Sequence, residues 1–368
     1  MKVLVVHSTN NIISGAEYAI CEMLDRKPEG FQFEMITPGE GALSHYYRKK
    51  GFIVHTVRFS GPRRKYPGLY LITSLAFCFW LKKHGFDIVL CNTFAASFRV
   101  SLGTKLAGKK LLIYTREYFS KKKKINFKQI KRANAIIAVS KDIKDYYENI
   151  HKTIYVCNDR IDLDNIKKRV KEKQEYLLDK NFINIGFIGR ITKYKQPDLF
   201  IRAIPYVIKK VQNVKFHLIG KATKSEENFE ISLKDLSSKL NLNNYITFWG
   251  FRNDSVEIMS ELDILCLTSD REPFPRVILE AMAVKTPVIC SNTGGCIEII
   301  KNEFSGLYFE VNSKNAEEKL ANQILRLINN KSLYIQIQKN ALNQVKKNFG
   351  GNQQSENLFN ILRTVILE

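Results

Sequence analysis

The feature that most constrains this chain is its rhythm. Short apolar runs bounded by polar turns alternate with helical patterns almost from end to end. Such runs read as strands buried on both faces, and strands alternating with helices imply parallel α/β sheets. In the first half the strand runs are 2–7, 31–37, 52–57, 86–91, 110–115, 135–139 and 153–157, with helical patterns that include 15–24, 66–83 and 140–149. A charged stretch without strand character, 162–180, then intervenes; it contains KKRVKEKQEYLLDK and reads as a helix plus linker. The alternation resumes at Phe182 with strands 182–189, 214–220, 245–250, 263–268, 287–290 and 305–310. Helices are expected near 197–211, 229–239, 255–261, 275–283, 313–329 and 332–347, and a last one at 353–367 follows Gly350-Gly351. At 368 residues, two domains are the default expectation.

Composition narrows the setting. The seven cysteines stand singly, with no Cys-x-x-Cys pair, and Cys91, Cys157, Cys266 and Cys290 lie in or beside apolar runs. There a free thiol behaves as a small hydrophobe. This argues for a reducing compartment and against a disulfide framework or a zinc site. Met1 to Val6 reads as a buried strand that breaks at His7, not as a signal peptide, so a cytoplasmic location is expected. The apolar run 69–81 (LYLITSLAFCFWL) is shorter than the roughly 20 residues that span a bilayer, and is expected to be a buried helix of the first domain.

The formal net charge of +22 admits several partners. No nucleic-acid motif accompanies it, so nucleic acid is not an expected partner. Two clusters stand out: Arg63-Arg64-Lys65, and Lys121 to Lys124 followed by Lys128, Lys131 and Arg132. Both could lean on an anionic membrane leaflet, at about 1 kcal/mol per basic residue near the surface. Peripheral association with the inner face of a membrane is the expectation that follows.

Chemistry concentrates in 270–300, DREPFPRVILEAMAVKTPVICSNTGGCIEII. Glu272 lies in an acidic loop, Pro273-Phe274-Pro275 make a turn, and Glu280 rides the helix that follows, eight positions after Glu272. Gly294-Gly295 then open another short helix. Helix N-termini and glycine turns offer N–H groups to anions, while carboxylates accept from hydroxyls. A ligand that is part phosphate and part polyol fits, and a nucleotide-sugar is such a ligand. Upstream, Gly186-Phe-Ile-Gly189-Arg190-Ile-Thr-Lys-Tyr-Lys195 brings two cations to the end of a strand and the start of a helix. Both can converge on one diphosphate. Ser14-Gly15-Ala16-Glu17 opens a helix after the first strand, where Gly15 permits close backbone approach to a phosphate or sugar.

Glu272-Pro-Phe-Pro-Arg-Val-Ile-Leu-Glu280-Ala-Met-Ala, Thr286-Pro-Val, Gly294-Gly295 before Glu298, and the Gly189-Arg190-x4-Lys195 segment together resemble the GT-B glycosyltransferases. Within these they are most similar to the retaining family 4 type, with its Glu-x7-Glu motif. The resemblance is specific from about 186 to 300 and looser before that. It implies an α/β GT-B fold, two Rossmann-like parallel-sheet domains facing across a cleft. The expected division is an acceptor-binding domain at 1–165, a linker at 166–181, a nucleotide-sugar-binding domain at 182–347, and a helix at 348–368 that returns to the first domain.

The resemblance also implies roles. Arg190 and Lys195 would hold the departing diphosphate, Glu280 would accept the ribose hydroxyls, and Glu272 would lie near the donor sugar ring. Phe274, Pro275, Arg276 and Val277 would offer backbone to phosphate or sugar, with Gly294 and Gly295 beside them and Gly15 opposite. Pro275 stands where the family has glycine or another small residue, so one expected N–H is missing. Phe251 and Arg252 are candidates for the base by position. With two cations for the leaving group no metal is required, and no cofactor is expected beyond the donor, a UDP- or GDP-sugar. Tyr114-Thr115-Arg116-Glu117 ends a strand where the family carries a histidine-centred motif; it either binds acceptor or sugar, or is a salt-bridged strand end. His7 is a further candidate at the end of the first strand.

The implied activity is transfer of a sugar, with retention, to an acceptor hydroxyl on a growing cell-surface glycan or lipid-linked glycan. Two rivals share the form. A nucleotide-sugar epimerase or hydrolase would release product without an acceptor, and a non-catalytic binding protein would keep the fold while losing site residues. The retained Glu272, Glu280, Arg190 and Lys195 argue against the second.

Overall fold

The computed structural model describes residues 1–11, 15–57, 67–118, 130–173 and 175–368. Ser14, Arg63, Arg64, Lys65, Lys121 to Lys124 and Lys128 lie outside these residues. The chain divides into two compact units, Met1–Arg160 with Asn352–Glu368, and Ile161–Gly351.

The first unit is built on a seven-stranded sheet in the order β3-β2-β1-β4-β5-β6-β7. The strands are β1 Lys2–Val6, β2 Gln32–Thr37, β3 Ile53–Thr56, β4 Ile88–Cys91, β5 Lys110–Thr115, β6 Ala135–Ala138 and β7 Ile154–Val156. Every pairing is parallel, with Val3 opposite Phe33 on one side and Ile88 on the other. In β4 and β6 every residue is buried, because neither face of a strand covered by helices meets water. The strand order reverses between β1 and β4, and in open α/β sheets ligands bind beyond the carboxyl ends at such a point. The last helix, Gln353–Leu367, packs on this unit, where the Phe359 ring lies 5.2 Å from Phe31 and 5.9 Å from Phe33.

Two helices here are not evident in the sequence pattern, Ala42–Lys49 and Phe94–Leu106. The second starts at Thr93, whose side-chain oxygen accepts from the Ala96 amide at 3.2 Å, a standard N-cap. It packs closely on the helix Pro67–His84 through Gly103, where a Cβ would stand 2.5 Å from the Ser74 carbonyl oxygen.

The helix Pro67–His84 departs from the expectation of burial. Ser74, Phe77, Cys78 and Leu81 face the unit, but Ile72 is 64% and Phe79 70% exposed. The segment is apolar around its whole circumference. A helix lying on one side of a sheet buries only the stripe turned inward.

The second unit holds a six-stranded parallel sheet in the order β10-β9-β8-β11-β12-β13. These strands are β8 Ile183–Ile188, β9 Val214–Ile219, β10 Ile246–Gly250, β11 Ile264–Leu267, β12 Val288–Ser291 and β13 Leu307–Phe309. This is the Rossmann order, with the reversal between β8 and β11. Phe187, Phe200 and Phe216 anchor its core.

Residues 166–181, expected as a linker, group with this unit. Asp162 caps the helix Leu163–Lys171 by accepting from the amides of Asp164 and Asn165. Arg169 pairs with Glu257 at 2.7 Å and Lys173 with Glu261 at 2.8 Å, and Glu261 also accepts from the amides of Leu177 and Leu178. The charges that make the stretch look like a solvated tether instead fasten it down.

All seven cysteines are free and buried, and burial pushes the Cys157 thiol up to about 12. A thiol so disfavoured as thiolate is a packing residue.

Candidate active site

The second unit gathers charged and hydroxyl side chains at the carboxyl ends of its strands β8 and β11. β8 ends at Ile188, and the chain passes Gly189 and Arg190 into the short 3₁₀ turn Lys193–Lys195. Gln196 adopts a left-handed conformation (φ 46°), which reverses the chain before Pro197 opens the next helix. The turn is anchored from β11: Thr268 Oγ1 donates to the Lys195 carbonyl at 2.9 Å and lies 2.8 Å from that of Gln196. The Asp270 amide donates to the Tyr194 carbonyl at 2.8 Å.

This anchoring brings Lys195 to Glu272. Lys195 Nζ lies 2.5 Å from Glu272 Oε1, and the same oxygen accepts from Ser269 Oγ at 2.7 Å. Both partners are largely buried, with side chains 13% and 8% exposed. Burial works against the charge of Lys195, but Glu272 and Tyr194 more than offset it and hold its pKa above the usual lysine value. Arg190 is exposed at the strand end. Burial raises the pKa of the Tyr194 phenol, and the charges of Lys195 and Arg190 oppose that rise, so all three act on one locality.

The helix Arg276–Ala283 begins four residues after Glu272, with Pro275 at its N-cap position and no side chain capping it. Glu280 is half-buried on this helix, and its carboxylate makes no hydrogen bond or ion pair among the described residues. Arg276 and Val277 occupy its first turn, half-buried. Phe274 turns inward instead, packing edge-on against Phe349 at 5.7 Å. Its part in any site is therefore through its backbone.

Gly294 and Gly295 have a sharper role than an open anion-binding turn. Gly294 is left-handed (φ 54°), and a Cβ there would stand 2.4 Å from the Glu272 carbonyl oxygen. A Cβ on Gly295 would stand 2.2 Å from the Pro273 carbonyl oxygen, and the Gly295 amide donates to the Glu272 carbonyl at 2.7 Å. The glycine pair thus cradles the backbone of the glutamate loop, and one of its two amides is spent on holding Glu272 in place. Ser269 and Tyr194 are the members of this cluster that the sequence reading passed over. Their only signal was position, Ser269 just beyond β11 and Tyr194 between two candidate cations.

Arg252 is tied to Asp254 through two bonds of 2.8 and 2.5 Å and lies over the Trp249 ring. Phe251 beside it is 69% exposed.

In the first unit, Gly15 opens the helix Gly15–Leu24 and is exposed. Tyr114-Thr115-Arg116-Glu117 forms the salt-bridged alternative. Arg116 Nε binds both oxygens of Asp159 at 2.9 and 3.0 Å, Nη1 binds Asn92 at 2.9 Å, and the guanidinium lies 3.8 Å from the Tyr114 ring centre. Glu117 accepts from the Phe94 amide at 3.2 Å; burial raises its pKa and that amide only partly opposes the rise. His7 is 2% exposed, and neither ring nitrogen has a hydrogen-bond partner among the described residues. Burial, helped by the nearby Arg116 charge, lowers its pKa to about 3. It is a neutral interior ring packed against Tyr47 at 5.0 Å. Asp159 and Asn92 were not legible as partners because they come from other strand ends.

Two units of parallel sheet with Rossmann-like strand order, and acid and base together at the carboxyl ends of the second, define the GT-B fold. The model of the glycosyl transferases group 1 matches residues 168–344, and that of glycosyltransferase family 4 matches 15–164. Between them they take up most of the chain, which belongs to the glycosyltransferases.

Among the relatives, an uncharacterized glycosyltransferase (MJ1607) of Methanocaldococcus jannaschii is 35% identical over 126 residues, covering 34% of this chain and 31% of its own length. The UDP-Gal:alpha-D-GlcNAc-diphosphoundecaprenol alpha-1,3-galactosyltransferase of Escherichia coli is 26% identical over 292 residues, 73% of each chain. The match to the first spans about a third of that relative. Among solved structures, Anabaena HepE in complex with UDP and glucose superposes with a TM-score of 0.83 at 20% identity, covering 99% of this chain and 100% of that one. At that identity the likeness concerns the fold.

Proposed function

We propose that this glycosyltransferase moves a hexosyl group from a UDP- or GDP-sugar to a hydroxyl of a glycan or lipid-linked glycan acceptor, with retention and with no resident metal. The observation that carries this reading is the buried Lys195–Glu272 pair at the carboxyl ends of β8 and β11, followed on the next helix by Glu280, whose carboxylate has no hydrogen-bond or ion-pair partner among the described residues. The E. coli relative, whose name specifies UDP-Gal and a diphosphoundecaprenol acceptor, supports the donor and acceptor classes.

In this reaction the acceptor oxygen forms a bond to the anomeric carbon, the bond from that carbon to the diphosphate oxygen breaks, and the nucleoside diphosphate leaves with the electron pair. The acceptor proton passes to the departing phosphate oxygen on the same face of the sugar. Arg190 and Lys195 meet the negative charge that grows on the diphosphate, the moment at which preorganised cations contribute most. Glu272, oriented by Ser269 and by the Gly295 amide, holds Lys195 and faces the positive charge that develops at the anomeric carbon. Glu280 accepts the ribose hydroxyls, and the first turn of its helix lies beside the phosphates. The two cations perform the charge neutralisation for which other transferases recruit a metal.

The same reading places the enzyme at an anionic membrane surface. Its support is the net charge of +22 and the basic clusters of the first half, among them Lys131 and Arg132. No helix of the described residues is long and apolar enough to cross a membrane.

The experiment is a thermal-shift screen against UDP-, GDP-, ADP- and CMP-sugars, followed by product analysis with and without lipid-linked acceptor. A ligand that binds the folded state raises the midpoint by mass action. The expected result is stabilisation by one nucleotide class, lost in Arg190→Ala and Glu280→Ala, with glycosylated product only when acceptor is present. Equal responses of wild type and variants would overturn the site. Free sugar or epimer formed without acceptor would favour the hydrolase or epimerase.

A further inference from the structure

Soluble proteins seldom display a contiguous apolar patch of any size without a use for it, and the first unit displays one on a single helix. Along Pro67–His84, Leu69 (47%), Leu71 (50%), Ile72 (64%), Leu75 (42%) and Phe79 (70%) are exposed together. Leu69, Ile72, Leu75 and Phe79 recur at three- and four-residue spacing, so they form one stripe, about 15 Å long at 1.5 Å per residue. The opposite face, through Ser74, Phe77, Cys78 and Leu81, is fixed to the unit. The orientation of the stripe is therefore set by packing.

The charge around the stripe has one sign. Its last turn carries Lys82 and Lys83, both exposed, and the helix contains no acidic residue. The neighbouring helix Phe94–Leu106 ends in exposed Lys105 and Leu106. In sequence, Arg63-Arg64-Lys65 come shortly before Pro67.

We infer that this face is the membrane-docking element of the enzyme: the helix lies in the plane of an anionic bilayer, Leu69, Ile72, Leu75 and Phe79 enter the acyl boundary, and Lys82 and Lys83 remain among the lipid phosphates. This rests on the surface association proposed above and names the surface. An apolar stripe edged by lysines fits an interfacial helix, whose binding sums buried apolar area and attraction to anionic lipid. Lysine stems extend along apolar surface while the ammonium groups stay in water. A second copy of the chain is the poorer occupant. It would bring another molecule of net charge +22 against the lysines, and this helix offers no carboxylate to meet them.

The test is co-sedimentation of the full chain with vesicles of phosphatidylcholine, with and without phosphatidylglycerol, for wild type, Ile72→Glu/Phe79→Glu and Phe79→Trp. The replaced side chains are exposed, so both variants should keep the wild-type melting midpoint. Wild type and Phe79→Trp are expected to bind the anionic vesicles, and acyl-brominated lipid should quench the new tryptophan. Binding of the double variant should weaken on the order of 100-fold, with the nucleotide-induced thermal shift unchanged. That shift reads nucleotide binding and not the helix Pro67–His84, so its absence in wild type would fault the transferase reading and leave the docking face standing. Vesicle binding by wild type that the double variant retains would overturn this inference while leaving general surface attraction in place. No vesicle binding by wild type would overturn both. A wild-type dimer in light scattering that Ile72→Glu/Phe79→Glu converts to monomer, without change in vesicle binding, would assign the face to a second copy.

Discussion

Lys195 and Glu272 stand 77 positions apart, yet their side chains meet at 2.5 Å inside the second unit. They leave adjacent strands, β8 and β11, at the point where the strand order reverses. Each is held by further bonds: Lys195 through the Thr268 grip on its carbonyl, and Glu272 through Ser269 on its side chain and Gly295 on its backbone. In the function proposed above, a cation and an anion so fixed need little rearrangement to meet a diphosphate and a sugar.

Removing one member of that pair leaves the other buried and uncompensated. Lys195→Ala is expected to cost about 3 kcal/mol in urea unfolding, whereas Lys195→Met with Glu272→Gln should cost less than the single change. Turnover should fall about 10²–10³-fold in the single variant. The raised lysine pKa sets the pH window. A group whose folded pKa lies above its unfolded value stabilises fully below the unfolded value and loses that contribution as pH rises through the folded one. Stability attributable to Lys195 should therefore be constant through neutral pH and fade only above the ordinary lysine range, at about pH 10.4.

Glu280→Ala tests ligand contact without structural disturbance. Its carboxylate holds no hydrogen bond or ion pair among the described residues, so stability without ligand should stay within about 0.5 kcal/mol of wild type. Nucleotide affinity, measured by calorimetry, should fall by about 1.5–3 kcal/mol, the contribution of a hydrogen bond to a charged group.

Gly295→Ala places a methyl group 2.2 Å from the Pro273 carbonyl oxygen. The glutamate loop must move, so a loss of about 1–3 kcal/mol in stability is expected, together with weakened nucleotide binding. Gly351→Ala meets no neighbour within 4 Å and serves as the control.

Two buried histidines should make the protein acid-sensitive. Burial holds His7 at about 3 and His217 at about 4, both below the ordinary value of 6.5. A group whose folded pKa is depressed in this way takes up its proton in the unfolded chain first. Each histidine thus destabilises the fold progressively as pH falls from 6.5 toward its folded value, by up to about 1.4 kcal/mol per pH unit. Between pH 6 and 5 wild type should lose stability faster than His7→Gln, as read by denaturant midpoints at each pH; parallel slopes would refute the assignment.

Much of the architecture was legible because it rests on local pattern. Continuous apolar runs such as Ile88–Cys91 and Ala135–Ala138 have no solvated face, and only a strand covered on both sides suits them. The helix Phe94–Leu106 was not legible, since Ser97, Ser101, Gly103 and Thr104 have modest helix propensity and its stability comes from packing on its neighbour. The site divided in the same way. Glu272, Glu280, Arg190 and Lys195 carried their chemistry in the sequence, and the family models bear out the class of enzyme to which those residues pointed. That Arg116 would be held by Asp159 and Asn92 was invisible, because those residues arrive from separate strand ends.

By itself the sequence determined the alternation of strand and helix, the division into two sheets, and the residue types available for phosphate and sugar, since each depends on periodicity or side-chain chemistry alone. Tertiary structure decided which groups meet. It paired Lys195 with Glu272, gave the Gly295 amide to the Glu272 carbonyl, buried the His7 ring with no hydrogen-bond partner among the described residues, and turned Ile72 and Phe79 of a largely apolar helix outward. The physical reason is that strand order and helix packing set distances between residues far apart in the chain, and no local preference encodes those distances.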